Sequence, residues 1–200
     1  EIVKDSDFSV FKDVIKNKGI VKCINPEKEF TRTELEQLTE SCIKAGAKGM
    51  AYLQCKNNKL EGSISKYIPD KVQKELIKKT GVKKGYLLFI ADKPKKANSI
   101  LADLRNKLGK ELNLIKENDW KFLWVTDYPL FSYNEDSQSW EPEHHMFSSP
   151  KKEFLETLES NPGNVKADLY DVVLNGTELG SGSIRINDPE LQERVMKIIG

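Results

Sequence analysis

Apolar positions along this 200-residue chain switch repeatedly between helical and strand periods. Phe8, Phe11 and Ile15 recur at helical spacing, Gly19 stops the pattern, and residues 20–24 read as a strand. Thr31 and Glu34 form a capping box, in which a hydroxyl and a carboxylate each take up an unpaired N–H of the first turn. The helix behind it puts Leu35, Leu38, Cys42 and Ala45 on one stripe, and Gly46 and Gly49 end it. Residues 50–56 read as a strand followed by an Asn57-Asn58 turn. Asp70 is placed to cap a helix carrying Val72, Leu76 and Ile77, closed by Gly81. Residues 86–91 form an unbroken apolar run, as a buried central strand requires. Then Ala97, Leu101, Leu104, Leu108 and Leu112 repeat at steps of four and three, the strongest helical pattern of the chain.

The texture changes near Asn118. Residues 122–125 read as a strand broken by Asp127-Tyr128-Pro129, and residues 134–138 as a polar turn. Trp140 leads into the run Glu143-His144-His145-Met146. Pro150 stands where a helix can begin, with Phe154, Leu155 and Leu158 on its face, and residues 161–164 form a loop. Residues 167–174 and 177–186 read as strands. Asp188 and Pro189 then start a helix that buries Leu191, Val195 and Ile198. The fold class this predicts is α+β, in two modules at 1–118 and 119–200.

Charge supports that division. Residues 1–118 hold 25 Lys and Arg against 16 Asp and Glu; residues 119–200 hold 7 against 15, so a net charge of +1 conceals a basic half and an acidic half. The basic half has no aromatic RNP-like strand, G-x-x-G clamp or arginine cluster, so its lysines suit either RNA phosphates or plain solvation. With 38% hydrophobic and 32% charged residues the chain is expected to fold, and no apolar run is long enough to span a membrane. Cys23, Cys42 and Cys55 form no C-x-x-C, which argues against a disulfide framework or zinc knuckle and for a reducing compartment. From Glu1 to Gly200 the chain reads as an excised segment of something longer.

Residues 171–185 hold the most informative chemistry. Asn175-Gly176 between two β-rich runs signals a type I′ hairpin, since both turn residues need positive φ. A two-residue turn pairs Val173 with Glu178 and Asp171 with Gly180, so Asp171 and Glu178 become diagonal neighbours on one face. Two carboxylates that close suit Mg²⁺ with a phosphate-bearing substrate; a pair of solvated acids is the alternative. Arg185 lies an odd number of residues beyond Glu178 and so falls on the opposite face by strict alternation. One bulge within Gly180-Ser181-Gly182 would return it to the carboxylate face, where its planar fork matches a carboxylate or phosphate; pairing with a local acid is its other fate. His144 and His145, the only histidines, point opposite ways on an extended segment, so one is expected to pack and the other to reach a ligand.

These residues carry a resemblance. FLWVTDYPLF at 122–131, the histidine pair at 144–145, SSPK at 148–151 and YDVVLNGTELGSGSIRI at 170–186 resemble bacterial-type aspartyl-tRNA synthetase. GIVKCIN at 19–25 and AGAKGMA at 45–51 resemble the GAD insertion domain that these enzymes carry within the catalytic domain. The resemblance implies a GAD-type insertion domain over 1–118, then part of a class II antiparallel sheet with flanking helices over 119–200. It implies activation of L-aspartate with ATP to aspartyl-adenylate, then transfer to tRNA, with Mg²⁺ accompanying ATP. It casts Glu178 as ATP ligand and, with Asp171, as Mg²⁺ carboxylate. Arg185 and His144 bind L-aspartate, with His145, Gly180 and Gly182 in support. It also implies a cytoplasmic homodimer at full length, without membrane attachment.

Three positions depart from the family pattern: Met146 where many relatives have Pro, Ser181 where a third glycine is common, and Asn187 where His is frequent. The family's first two class II motifs belong upstream and its last downstream, so the segment alone is expected not to catalyse aminoacylation. The alternative is a non-catalytic, GAD-containing module for RNA association or assembly.

Overall fold

Residues 2–200 are described by the computed structural model, and the chain divides into two compact units between Lys116 and Glu117. In the first, the order is α1 (Ser9–Lys16), β1 (Ile20–Ile24), α2 (Arg32–Lys44), β2 (Ala51–Lys56), β3 (Lys59–Glu61), α3 (Asp70–Thr80), β4 (Gly85–Asp92) and α4 (Pro94–Glu111). The strands form one antiparallel sheet in the order β1-β4-β2-β3. β4 explains the unbroken apolar run. Leu88 and Ile90 enter a core with Leu35, Leu38, Leu101 and Leu104 of α2 and α4. Leu87 and Phe89 enter the other, with Phe11, Val72 and Leu76 of α1 and α3. Helices cover both faces, so both parities of the central strand must be apolar.

Local signals set most boundaries. Thr31 and Glu34 make the capping box: Thr31 N donates to Glu34 Oε2 at 2.7 Å, and Glu34 N donates to Thr31 Oγ1 at 3.2 Å. Two expectations shift. Asp70 is the first helical residue and makes no cap hydrogen bond; Pro69 holds the cap position, its φ of −56° and ψ of 147° supplying the extended backbone needed there. The Asp70 carboxylate instead sits in the first turn, where the helix dipole favours it. Ala45 is the exposed C-cap of α2 rather than part of its buried stripe. β3 escaped notice because three residues carry no periodicity.

The second unit contains β5 (Phe122–Val125), β6 (Phe131–Asn134), β7 (Ser139–Pro142), β8 (Leu169–Leu174), β9 (Thr177–Ser183) and α5 (Pro189–Ile199). β8 is the centre of an antiparallel β5-β8-β9 sheet, and β6-β7 form a hairpin. Leu130, Phe131, Leu158, Val165, Ala167 and Leu169 pack with Val195 of α5. Asp188 caps α5 by accepting from Glu190 N at 3.0 Å.

The strands expected at 167–174 and 177–186 are shorter than their apolar runs. Their outer residues leave one another for a third segment: Ala167 bridges to Pro150, and Arg185 to Ser148. The helix expected after Pro150 is a 3-10 helix, Lys152–Thr157. The Leu155 carbonyl, which an α-helix would offer to Glu159 N, accepts from Arg194 Nη2 at 2.7 Å. Arg194 also holds Glu159 through Nε at 2.6 Å and Nη2 at 3.0 Å, tying this segment to α5. Cys23, Cys42 and Cys55 are all free thiols. Among the described residues no helix is long and apolar enough to cross a membrane.

Two glycines of the first unit separate backbone strain from steric exclusion. Gly81 ends α3 at φ +65°, with nothing within 4 Å of a Cβ built there; at Gly85 (φ +88°) that Cβ would lie 2.5 Å from the Lys28 carbonyl oxygen. Gly81→Ala is expected to cost about 1–2 kcal/mol, the strain of a left-handed residue. Gly85→Ala should cost clearly more, because backbone must move as well. Urea denaturation of both variants checks the order, and equal midpoints would contradict it.

Candidate active site

The candidate site is built on the hairpin of β8 and β9. Asn175 and Gly176 have φ of 48° and 85°, both positive as a type I′ turn demands. The Asn175 side chain also fastens the neighbouring strand. Its Oδ1 accepts from Lys121 N and its Nδ2 donates to the Asp119 carbonyl, each at 2.9 Å, so the turn secures the entry to β5.

Past the turn the register breaks once. Leu174 pairs with Thr177 and Val173 with Glu178, but Val172 pairs with Gly180 and Asp171 with Ser181. Leu179 is the extra residue. Asp171 therefore faces Ser181, not Gly180 as a regular ladder predicts, and the bulge lies one residue before the glycine stretch. Its effect is a change of phase. Glu178 shares the face of Asp171 and Val173, and beyond the bulge Ser181, Ser183 and Arg185 fall on that same face. A ladder bond from Ile184 N to the Asp168 carbonyl, 2.9 Å, carries the alternation up to Arg185.

Gly180 and Gly182 fall on the opposite face, and they differ. A Cβ at Gly182 would lie 2.5 Å from the Tyr170 hydroxyl oxygen and 2.6 Å from its Cζ, whereas at Gly180 nothing lies within 4 Å. Tyr170 crosses the strand at Gly182 and meets the Trp124 ring edge-on at 5.5 Å. Gly182 is thus required by the packing of Tyr170, while Gly180 meets no such obstacle.

Two aromatic residues that sequence reasoning passed over organise the carboxylate face. Tyr128 donates its hydroxyl hydrogen bond to Asp171 Oδ2. That bond, partial burial and the negative charges of Asp171 and Glu178 push the Tyr128 hydroxyl up to about 12, so it remains a donor at neutral pH. His144 meets the Tyr128 ring edge-on at 5.0 Å. Phe147 stacks on His145, centroids 4.1 Å apart and planes 13° apart, and the Arg185 guanidinium lies 4.4 Å from its ring centroid. His145 Nδ1 shares a 2.9 Å hydrogen bond with Ser148 Oγ. The two histidines thus take different neighbours, His144 exposed beside Tyr128 and His145 half-buried. In the sequence Tyr128 registers only as part of a strand break and Phe147 as an isolated aromatic. Strand parity gives no hint of contacts made from outside the sheet.

Arg185 forms no ion pair among the described residues, so the local acid that would ordinarily hold it is not there. Beside the site, Lys151 pairs with Asp127 and holds that carboxyl below its usual range. Asp171 and Glu178 offer hard oxygen donors on one face, one Asp171 oxygen being committed to Tyr128. No group of three or more metal-ligating side chains occurs among the described residues. Two carboxylates fit Mg²⁺ that brings most of its ligands as water and phosphate. The recesses of the first unit, one of 440 Å³ lined by Phe8, Phe11, Met50, Tyr52 and Phe89, contain none of these residues.

On this antiparallel sheet Asp171 and Glu178 share one face, and the bulge brings Arg185 into phase with them. Residues 3–200 match the family described as tRNA synthetases class II (D, K and N), and the chain belongs to that family. It is 44% identical over 200 residues to the aspartate–tRNA(Asp/Asn) ligase of Treponema denticola, covering 97% of this chain and 34% of that relative. Similarity to the aspartate–tRNA ligase of Staphylococcus epidermidis is 43% over 204 residues, covering 100% and 35%. For the aspartate–tRNA(Asp/Asn) ligase of Borreliella burgdorferi it is 40% over 203 residues. The chain spans about a third of the length of these relatives.

The Tyr128–Asp171 bond has a measurable signature. A hydroxyl raised in the folded state contributes stability that is complete below pH 10 and lost as pH rises from 10 towards 12. At about pH 11 an ordinary tyrosine is mostly ionised, but Tyr128 is expected to stay protonated. Folded Tyr128→Phe and parent protein should therefore have the same 295 nm absorbance at that pH; an extra tyrosinate in the parent would contradict the bond.

Proposed function

We propose that this chain is a segment of an aspartate–tRNA ligase, with residues 1–118 as its GAD-type insertion domain and residues 119–200 as part of its class II catalytic domain. The observation that carries the proposal is the bulge at Leu179, which sets Asp171, Glu178 and Arg185 in phase on one sheet face. The names of relatives at 40–44% identity support it independently.

Each residue then has a role. Arg185, with no acid to satisfy it, receives the side-chain carboxylate of L-aspartate through its planar fork. Asparagine would leave that guanidinium without a charge partner and lose the charge-assisted bidentate pair. His144 approaches the bound amino acid from the Tyr128 side, and Glu178 contacts ATP. Asp171 and Glu178 would hold Mg²⁺, which when bound supplies positive charge to the phosphates. The α-carboxylate of aspartate attacks the α-phosphate in line and pyrophosphate leaves. Much of the catalysis is therefore positioning, which a rigid hairpin provides. Gly182 acts indirectly by admitting Tyr170; Gly180 and His145 support the same strand and the Phe147 ring.

The complete reaction belongs to a longer polypeptide, a cytoplasmic homodimer acting on tRNA, and residues 1–200 alone do not aminoacylate. Relatives about three times as long as the chain support the longer polypeptide.

ATP–pyrophosphate exchange by the polypeptide that carries this chain, assayed with all twenty amino acids, tests the proposal. Exchange is expected with L-aspartate alone. Glu178→Gln and Arg185→Gln should each lower it on the order of 100-fold or more, the scale of removing a preorganised charge. Full activity in both folded variants, or exchange that does not depend on aspartate, refutes the proposal.

A further inference from the structure

We infer that Phe147 is a positioning residue for substrate recognition: its ring holds the Arg185 guanidinium in place while leaving the guanidinium's N–H donors free for the carboxylate of the ligand. The inference rests on the proposal that Arg185 binds the aspartate side chain.

Three observations support it. First, Arg185 is exposed and forms no ion pair among the described residues, yet its guanidinium lies 4.4 Å from the Phe147 centroid. A carboxylate holding Arg185 would consume the fork that the substrate needs. A π face attracts the cation without taking any N–H donor.

Second, Phe147 is itself fixed. His145 stacks on it, ring centroids 4.1 Å apart and planes 13° apart, so the ring has a second partner besides the guanidinium. His145 is held in turn by its 2.9 Å hydrogen bond with Ser148.

Third, the two backbones are fastened together. Ile186 N donates to the Phe147 carbonyl at 3.0 Å, Ser149 N donates to the Ile184 carbonyl at 2.8 Å, and Ser148 bridges to Arg185 between them. The backbones that carry ring and guanidinium are therefore held side by side, and the ring contact itself restricts the arginine side chain. A long arginine on an open strand would otherwise spread over many rotamers, and holding it in one removes an entropic cost from binding.

The test uses the same longer polypeptide, with Phe147→Leu and Phe147→Tyr, both checked for native far-ultraviolet circular dichroism and thermal midpoint. Exchange kinetics are measured against L-aspartate and against ATP. Phe147→Leu is expected to raise the KM for L-aspartate roughly tenfold, within the range spanned by a cation–π contact. Its kcat and its KM for ATP should change less than about twofold. Phe147→Tyr, which keeps the π face, should restore the parent KM. A general loss of packing would instead move kcat and both KM values together, and that pattern overturns the inference. So does a Phe147→Leu variant with the parent KM for aspartate, or a failure of Phe147→Tyr to rescue. If Phe147→Leu does not fold, Phe147→Tyr and Phe147→Met carry the comparison, with Met expected to show the raised KM. Aspartate-independent behaviour of the unsubstituted parent refutes the functional proposal itself, and is distinguished by that control.

Discussion

Everything chemical in the second unit depends on one extra residue. Leu179 has no partner across the hairpin, and that single interruption converts an odd spacing between Glu178 and Arg185 into a shared face. Without it the arginine would project from the side of Tyr170 and Trp124. A bulge is a local device, but parity propagates along a strand, so its effect reaches every residue beyond it. The turn at Asn175 and Gly176 anchors the register upstream, and the tyrosine crossing at Gly182 occupies the other face downstream.

The two charged groups to which the proposal gives ligand contacts, Asp171 and Arg185, have aromatic neighbours rather than counter-charges. Tyr128 uses a hydroxyl to orient Asp171, and Phe147 uses a ring to hold Arg185. Both leave capacity free on the group they hold: an oxygen on the carboxylate, donors on the guanidinium. An ion pair between the acids and the arginine would satisfy both at once and leave nothing for a ligand. Charge pairing occurs instead at the margin, where Lys151 meets Asp127, and at the rear, where Arg194 grips Glu159.

The first unit follows a different constraint. Its sheet is covered on both sides, so its central strand is apolar at successive positions, and its lysines are divided between the helices and the segments that join them. The sheet of the second unit keeps Phe122, Trp124, Tyr170 and Ile184 exposed, and its core lies beside the sheet, around Leu158, Val165 and Val195. Two units built this differently explain why composition and charge change where the chain passes from one to the other.

Much of this was legible in the residues. The capping box at Thr31, the apolar run of β4, the left-handed glycine at Gly81, the Asn175-Gly176 turn and the Asp188 cap are interactions within a few positions along the chain, so local chemistry specifies them. The shared face of Asp171 and Glu178 also followed, since strand alternation is a local rule. The need for a bulge could be argued from the odd spacing to Arg185, but its place at Leu179 could not: a bulge costs little to move by one residue until the partner strand and Tyr170 select its position. The early ends of β8 and β9, the 3-10 helix at Lys152 and the roles of Tyr128 and Phe147 were set only in the folded chain. In each case the deciding partner is distant in sequence — Pro150 for Ala167, Arg194 for Leu155, Asp171 for Tyr128, Arg185 for Phe147 — and periodicity carries no information about contacts between separate segments.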